Sequence, residues 1–431
     1  MRQHADAGHL QPDPHHDRPG AAHGGQDRRG AVRVSTPPPK KKPDPIKDLP
    51  ELKAALQLAI GLELSTIPVY LTALYSIKEG TNTEAAQTIR SVVMEEMLHM
   101  TLAANVLSAL GGTPSTKPVT FRTHKNLKPV PEYPTRNPLV SGIGELALAP
   151  FTPGAVESFV RIEDPFHGAG SLKDIVCAVD QYATIGEFYA AISTALDAKS
   201  KVCKDTDFQN RNQVAATHYY GGAGRAIQVT DRKSALEAIK MIVEEGEGMP
   251  EPNLEEKAKK VTDRDRLNNG WQMYSHYARF RELQTGRRFR SNQKAKDTPK
   301  GSLVPIDYES VHPAFYVKYD AAGTPGSPES VALNRFDLAY TRVVDDLYLA
   351  FAGGKRKVKD KLAPKGEREV DPLLLAVHGM RTLKDRAVAL MRTPDPAKPE
   401  RRLCPRFHYA ATEGERKKLE KLTQEMQGAS G

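Results

Sequence analysis

The chain has 431 residues, 39% of them hydrophobic and 27% charged, with a formal charge of +9. That length allows two or three domains and a large core, and the absence of any run of eighteen apolar residues leaves no membrane-spanning helix to expect. Most of the charge is local, with 19 Lys and Arg against 11 Asp and Glu from Lys355 onward, and those basic clusters lack interleaved aromatics, which argues against nucleic acid as a partner.

Residues 1–46 hold five of the thirteen histidines and almost no large apolar side chains, and they include Pro37-Pro-Pro-Lys-Lys-Lys-Pro43. Such a segment cannot bury enough apolar surface to fold, so a disordered tail without a secretory signal is expected. The first strong periodicity follows it. Leu52, Leu56, Ala59, Ile60, Ile67, Tyr70, Leu71 and Leu74 predict a helix from Leu52 to Tyr75, with Glu63 on the same stripe between Ala59 and Ile67. Pro68 predicts a kink about one turn beyond Glu63. Thr81 and Glu84 read as a capping box that opens a second helix, which Gly111-Gly112 closes.

That second helix carries the most informative stretch of the chain. Ile89, Val92, Val93, Glu96, His99, Met100, Ala103, Val106, Leu107 and Leu110 share one face, and only Glu96 and His99 are ionisable. Burying both costs several kcal/mol unless they are paired or bound to something. Two explanations stay open: a hydrogen-bonded Glu–His pair, or the Glu-x-x-His half-site of a carboxylate-rich metal centre in a helix bundle. A short connection packs the two helices antiparallel, with Glu63 and Glu96 each about a dozen residues from it and so at similar height.

Further along, residues 114–180 read as a long insertion, rich in proline at first, with a short helix starting near Phe151. Glu187 lies about 100° off the Phe188/Ile192 stripe, so periodicity gives it little support. A glycine turn at Gly221-Gly-Ala-Gly224 and a short strand over 226–230 are expected, and no dinucleotide fingerprint, since no strand precedes the glycines. From Ser234 to Gly248 the face of Leu236, Ile239 and Val243 continues onto Glu247, while Glu244 and Glu245 point away. Residues 249–269 form a charged insertion. Between Trp271 and Gly286 the apolar face of Met273, His276, Tyr277, Phe280 and Leu283 makes His276 a second inward histidine. Beyond a bundle over 47–290, residues 291–410 form a C-terminal extension whose amphipathic helices, Ser330–Phe351 and Pro372–Met391, pad the bundle; residues 411–431 are a charged tail. Cys177, Cys203 and Cys404 are scattered, as free thiols in a reducing cytoplasm would be.

Glu63-Leu-Ser-Thr-Ile-Pro-Val-Tyr-Leu71, the Glu95-Glu-Met-Leu-His99 segment and Ala103-Ala-Asn105 together resemble the ferritin-like iminophenyl-pyruvate dimer synthase domain, typified by a violacein-pathway enzyme that couples two indole-pyruvate imines. The similarity continues through Phe159-Val-Arg-Ile-Glu-Asp-Pro165, Thr184-Ile-Gly-Glu-Phe-Tyr189, Ile242-Val-Glu-Glu-Gly-Glu-Gly248 and Ser275-His-Tyr-Ala-Arg-Phe280, and more loosely to Pro405-Arg-Phe407. It implies a mainly α protein, a ferritin-like four-helix bundle with long loop insertions, a little β and extra C-terminal helices. It also implies a metal site surrounded by Glu63, Glu96, His99, Glu187, Glu247 and His276. One departure stands out: the position three before His276 is Met273, not the glutamate of a second Glu-x-x-His. Either the Glu247 region supplies the missing ligand or a second metal site is weak or absent.

Hard carboxylates with imidazole and no thiolate suit iron or manganese, one or two ions per chain. The expected function is a non-haem metal oxidoreductase of secondary metabolism acting on a small molecule, with Tyr70 and Tyr277 placed to donate hydrogen bonds or relay a radical. The rival expectation is a ferritin-like scaffold with structural metal or none, working as a homo-oligomer or beside a pathway enzyme. Iron storage fits poorly, because long insertions would obstruct a storage shell.

Overall fold

Asp48 opens the first helix: its carboxylate accepts the Glu51 N–H at 2.8 Å, and Pro50 sits in the first turn, where no helical donor is lost. The computed structural model describes residues 44–165, 182–218, 224–246, 274–290, 293–317, 327–359, 361 and 366–424. Residues 1–43, Cys177, the glycine turn at 219–223, Glu247, the 249–269 insertion and Met273 lie outside the described residues.

The first helix, α1 (Leu49–Ser76), runs on through Pro68 to the expected end. A single stripe understates its burial, since every residue from Ala55 to Tyr70 is buried. It is long and apolar enough to cross a membrane, yet 89% of its most apolar 18-residue window is buried inside the protein. α2 (Thr83–Ala109) begins at Asn82, in the left-handed region at φ 45°, and not through the expected capping box. Thr81 Oγ1 donates to the Lys78 carbonyl at 2.7 Å, and Arg288 takes the Glu84 carboxylate at 2.5 Å. A long-range ion pair has displaced a local cap. The short connection between α1 and α2, and their extensive contact, make them an antiparallel pair.

Four shorter helices follow: α3 (Pro153–Ile162), α4 (Ile185–Leu196), α5 (Arg232–Glu245) and α6 (His276–Thr285). Contacts of α1 with α2, α2 with α5, α5 with α4 and α4 with α1 close a four-helix ring. α3 and α6 pack on one another, and α6 also lies against α2. Two antiparallel ribbons fill the insertion before α3: β1 (Val119–Phe121) with β2 (His124–Leu127), and β3 (Thr135–Arg136) with β4 (Glu145–Leu146). The strand expected over 226–230 does not form. Side-chain amides take the place of a sheet partner: Asn105 accepts the Val214 N–H and donates to the Val214 and Ile227 carbonyls, while Gln213 bonds both the N–H and the carbonyl of Val229.

C-terminal to the ring, β5 (Ala314–Phe315) precedes α7 (Pro328–Phe351), the ribbon of β6 (Arg356–Lys359) and β7 (Glu367–Val370), and α8 (Pro372–Arg392). β8 (Pro394–Asp395) and β9 (Lys398–Leu403) then form a small sheet with β5, in the order β5-β9-β8. α8 rests on α1 and α7 on α2, as padding helices should. Arg406 and Asp337, both fully buried, pair at 2.5 Å and tie the return of the chain to α7. The expected charged tail is instead largely a docked helix, α9 (Glu413–Gln424), with Leu419 buried and Arg416 pairing with Asp345 at 2.6 Å.

The ring meets the insertion at Gly61, where a Cβ would stand 2.6 Å from the Pro129 carbonyl oxygen. That oxygen belongs to backbone and cannot rotate away. Gly61→Ala is expected to cost about 1–3 kcal/mol by overpacking, measured as a lower urea midpoint, whereas Gly154→Ala, which meets no atom within 4 Å, should leave the midpoint within experimental error.

Candidate metal centre

The ring is polar where its helices converge. Glu63 comes from the middle of α1, Glu96 and His99 from α2, Glu163 from the residue that ends α3, and His276 from the first residue of α6. All five are buried. Ligand atoms of Glu96, His99 and His276 lie within 4.8 Å of one another, and the two imidazoles are nearly parallel, centroids 5.4 Å apart. Glu63, Glu96, His99 and Glu163 line one small cavity, walled by Ile185, Tyr189, Ile242 and Val243. Gly246 closes it: the His276 N–H donates to the Gly246 carbonyl at 2.8 Å, which ties the start of α6 to the end of α5.

Glu63, Glu163, His276 and His99 each have a further side chain as partner. Tyr189 donates its hydroxyl to Glu63 Oε1, and Tyr70 donates to Glu163 Oε1. His276 Nε2 lies 2.7 Å from Glu95 Oε2, and Glu95 is neutralised in turn by the buried Arg279, which also donates to Ser91 Oγ at 2.8 Å. With Nε2 directed at Glu95, Nδ1 is the atom left to face Glu96 and Glu163. It stands 2.9 Å from Glu96 Oε1 and 3.6 Å from Glu163 Oε2, but makes no hydrogen bond. His99 Nε2 is 3.1 Å from Glu245 Oε2, on a side chain still 30% exposed.

The electrostatics follow from how closely these groups are packed. Burial, then the charges of Glu163 and Glu63, push the Glu96 carboxyl well above its ordinary range against the opposing pull of His276. Burial also works against the charge of His276, but Glu96 and Glu163 outweigh it and raise the imidazole well above its ordinary value. In Glu163 the same burial is overcome by His276 and by the Tyr70 hydrogen bond, so that carboxyl stays low. Three carboxylates converge on the His276 ring, and Glu96, His99 and His276 are close enough together to hold a metal ion. Oxygen and imidazole donors without thiolate fit iron or manganese, and the residues present fit such an ion.

Among the expected site residues, the fold brings Glu63, Glu96, His99 and His276 together and sets Tyr70 behind Glu163. Glu187 lies at the start of α4, where its carboxylate accepts the Ala183 N–H at 2.7 Å, and it is not among the residues that line the cavity. Tyr277 follows His276 by one residue and so turns about 100° away; the charges acting on its hydroxyl are Asp164 and Arg281. Glu247 lies outside the described residues, and Glu245, expected to point away, is the acid that reaches His99. The buried residues of α5 are Ala235, Ala238, Ile239 and Ile242, with Val243 beside Ile242 at the cavity wall. Three residues past Ile242 comes Glu245, at the last turn.

Sequence periodicity missed Glu95, Glu163, Tyr189 and Arg279. For Glu163 a signal was available. A glutamate at a helix C-terminus, two residues before Pro165, opposes the helix dipole and needs another reason to be there. Glu95 was hidden because α2 is buried on more than one face.

A family model described as ferritin-like matches residues 56–285. The chain is 26% identical over 284 residues to a 2-imino-3-(indol-3-yl)propanoate dimerase of Chromobacterium violaceum, covering 59% of this chain and 25% of that one. It is 26% identical over 259 residues to a dichlorochromopyrrolate synthase of Lentzea aerocolonigenes, covering 50% of this chain and 24% of the other. The chain thus spans about a quarter of the length of these curated relatives. A crystal structure of a ferritin-like protein from Caulobacter vibrioides, 23% identical, matches with a TM-score of 0.49 over 85% of this chain and 100% of its own.

Removal of Glu95 tests the support behind His276. Burial would raise this carboxyl, but Arg279 and then His276 hold it below the ordinary range. Its folded-state value is therefore the lower one, so its contribution to stability is complete above the ordinary glutamate range and is lost as pH falls through the folded value. Glu95→Gln strands the buried Arg279 charge and is expected to cost about 3 kcal/mol at neutral pH, with the deficit shrinking below about pH 4. Urea denaturation at the two pH values measures both.

Proposed function

The chain belongs to the ferritin-like family, and from that membership we propose that it is a non-haem iron or manganese oxidoreductase of secondary metabolism, coupling amino-acid-derived imines oxidatively. The observation that carries this reading is the buried convergence of Glu96, His99 and His276 with Glu63 and Glu163 around them. The substrate class follows the relative named as an imine dimerase. Joining two imines with loss of two hydrogens is a two-electron oxidation, so an oxidant is required.

Glu63, Glu96, His99, Glu163 and His276 would hold the ion, with Glu245 in reach of His99. Bound iron or manganese supplies one-electron redox chemistry and activation of dioxygen or peroxide. The protein's part is placement. Tyr189 and Tyr70 each occupy one carboxylate oxygen, of Glu63 and Glu163, and leave the other free to turn inward. Glu95 sets the orientation of His276 through Nε2, and Arg279 stops Glu95 from adding a further uncompensated charge. Ile185, Ile242 and Val243 wall the cavity with apolar surface that disfavours bulk water. The Tyr70 and Tyr189 hydroxyl protons sit on carboxylates of the centre, the positions from which a proton could be returned during turnover.

Elemental analysis of full-length protein expressed with added iron and manganese is expected to find one or two equivalents of metal per chain. Glu96→Ala and His99→Ala should lose it, while Glu187→Ala should keep it. Uptake should weaken as pH falls, because His276 must release the proton that Glu96 and Glu163 favour on it. Tyr189→Phe should retain metal and lose about 10–100-fold in turnover. A wild-type protein that folds but takes up neither metal would overturn the oxidoreductase reading and leave a ferritin-like scaffold.

A further inference from the structure

A second recess lies away from the metal centre. It is a groove of about 1120 Å³ between the C-terminal half of α1, α2 and α8. None of the five acids and imidazoles of the centre lines it. Its volume is a little above the range that holds drug-sized molecules, ~300–1000 Å³, so a ligand of that size would fit with room to spare.

The floor is apolar and soft. Leu71, Leu74, Met94, Met97, Met380 and Val388 line it, each only half-buried. Thioether side chains adapt to apolar bodies of different shape, and leaving this much apolar surface partly open costs the free protein stability.

The rim is cationic. Lys78, Arg90, Arg381, Lys384 and Arg392 are exposed around the groove, against only Glu79 and Asp385. Among the described residues, Arg90, Arg381, Lys384 and Arg392 make no ion pair, unlike Arg356 and Arg416, which hold Asp346 and Asp345. His312, also on the wall, reports the same field: burial, then Arg392, Lys78 and Arg402, hold its imidazole below the ordinary value. On α8, Val377, Arg381, Lys384 and Val388 fall at helical spacing on one stripe, which alternates apolar contact with positive charge along the groove.

We propose that this groove binds a small amphipathic organic anion, with its apolar body on the methionine floor and its carboxylate or sulfonate between Arg90, Arg381 and Lys384. The site is separate from the metal centre and does not depend on the ion.

Two surfactants with one tail and opposite heads test it. By isothermal titration calorimetry on the full-length chain, dodecanoate is expected to bind about tenfold or more tighter than dodecyltrimethylammonium. The double variant R381E/K384E, altered only at exposed positions, should lose that preference and weaken dodecanoate by about tenfold or more, with an unchanged thermal midpoint. Equal affinity for the two surfactants would overturn the proposal, as would undiminished dodecanoate binding in the double variant. Loss of binding in Glu96→Ala with retention in R381E/K384E would overturn it too, by placing the anion at the metal centre.

Discussion

Three carboxylates and two imidazoles buried at the centre of a four-helix ring set the terms for the rest of the structure. Ionised groups removed from water are costly unless each finds a partner of opposite sign. Glu95 finds Arg279, and Glu163 has the Tyr70 hydroxyl with the His276 ring close by. Glu96 has less compensation: its nearest cationic group, the His276 ring, is shared with two other acids, and its carboxyl is pushed well up.

The scaffold that bears this cost is correspondingly large. α1 is buried along sixteen consecutive residues, Ala55 to Tyr70, and α7 and α8 cover the α1–α2 pair from outside. Apolar burial on that scale, at ~25 cal/mol per Å², offsets a polar centre that a small bundle could not tolerate. The longest helices carry Glu63, Glu96 and His99, so those positions are rigid. Glu163 and His276 come instead from the end of α3 and the beginning of α6, two short helices packed on each other. The centre is therefore assembled from a stiff half and a half set by how a helix pair docks. Among the described residues, the carboxylate that approaches His276 from that pair is Glu163, at the end of α3.

The groove beside α8 and the polar centre use neighbouring faces of α2 for opposite purposes. Glu96 and His99 project into the ring, while Met94 and Met97 project toward α8. One helix thus separates a buried, charge-dense cavity from an open apolar trough rimmed with cations. Rotation by about 100° per residue is enough to separate the two chemistries.

Periodicity in the sequence was enough to determine α1, α2, the padding helices, and the inward placement of Glu63, Glu96, His99 and His276. Those residues lie within regular helices or at their edge, where a 3.6-residue repeat records which side is buried. The same repeat says nothing of what stands opposite, so the Tyr189–Glu63, Tyr70–Glu163 and Arg279–Glu95 pairs, with 93 to 184 residues between partners, were decided by tertiary packing alone. Helix ends were the other blind spot. Glu245 reaches His99 from the last turn of α5, where the Gly246 carbonyl accepts the His276 N–H. Likewise Glu84 looked like a local cap until Arg288 arrived from 204 residues away to claim it. Local patterns dictate burial; only the assembled fold dictates partners, because a charge inside a protein is satisfied by whatever the distant chain brings to it.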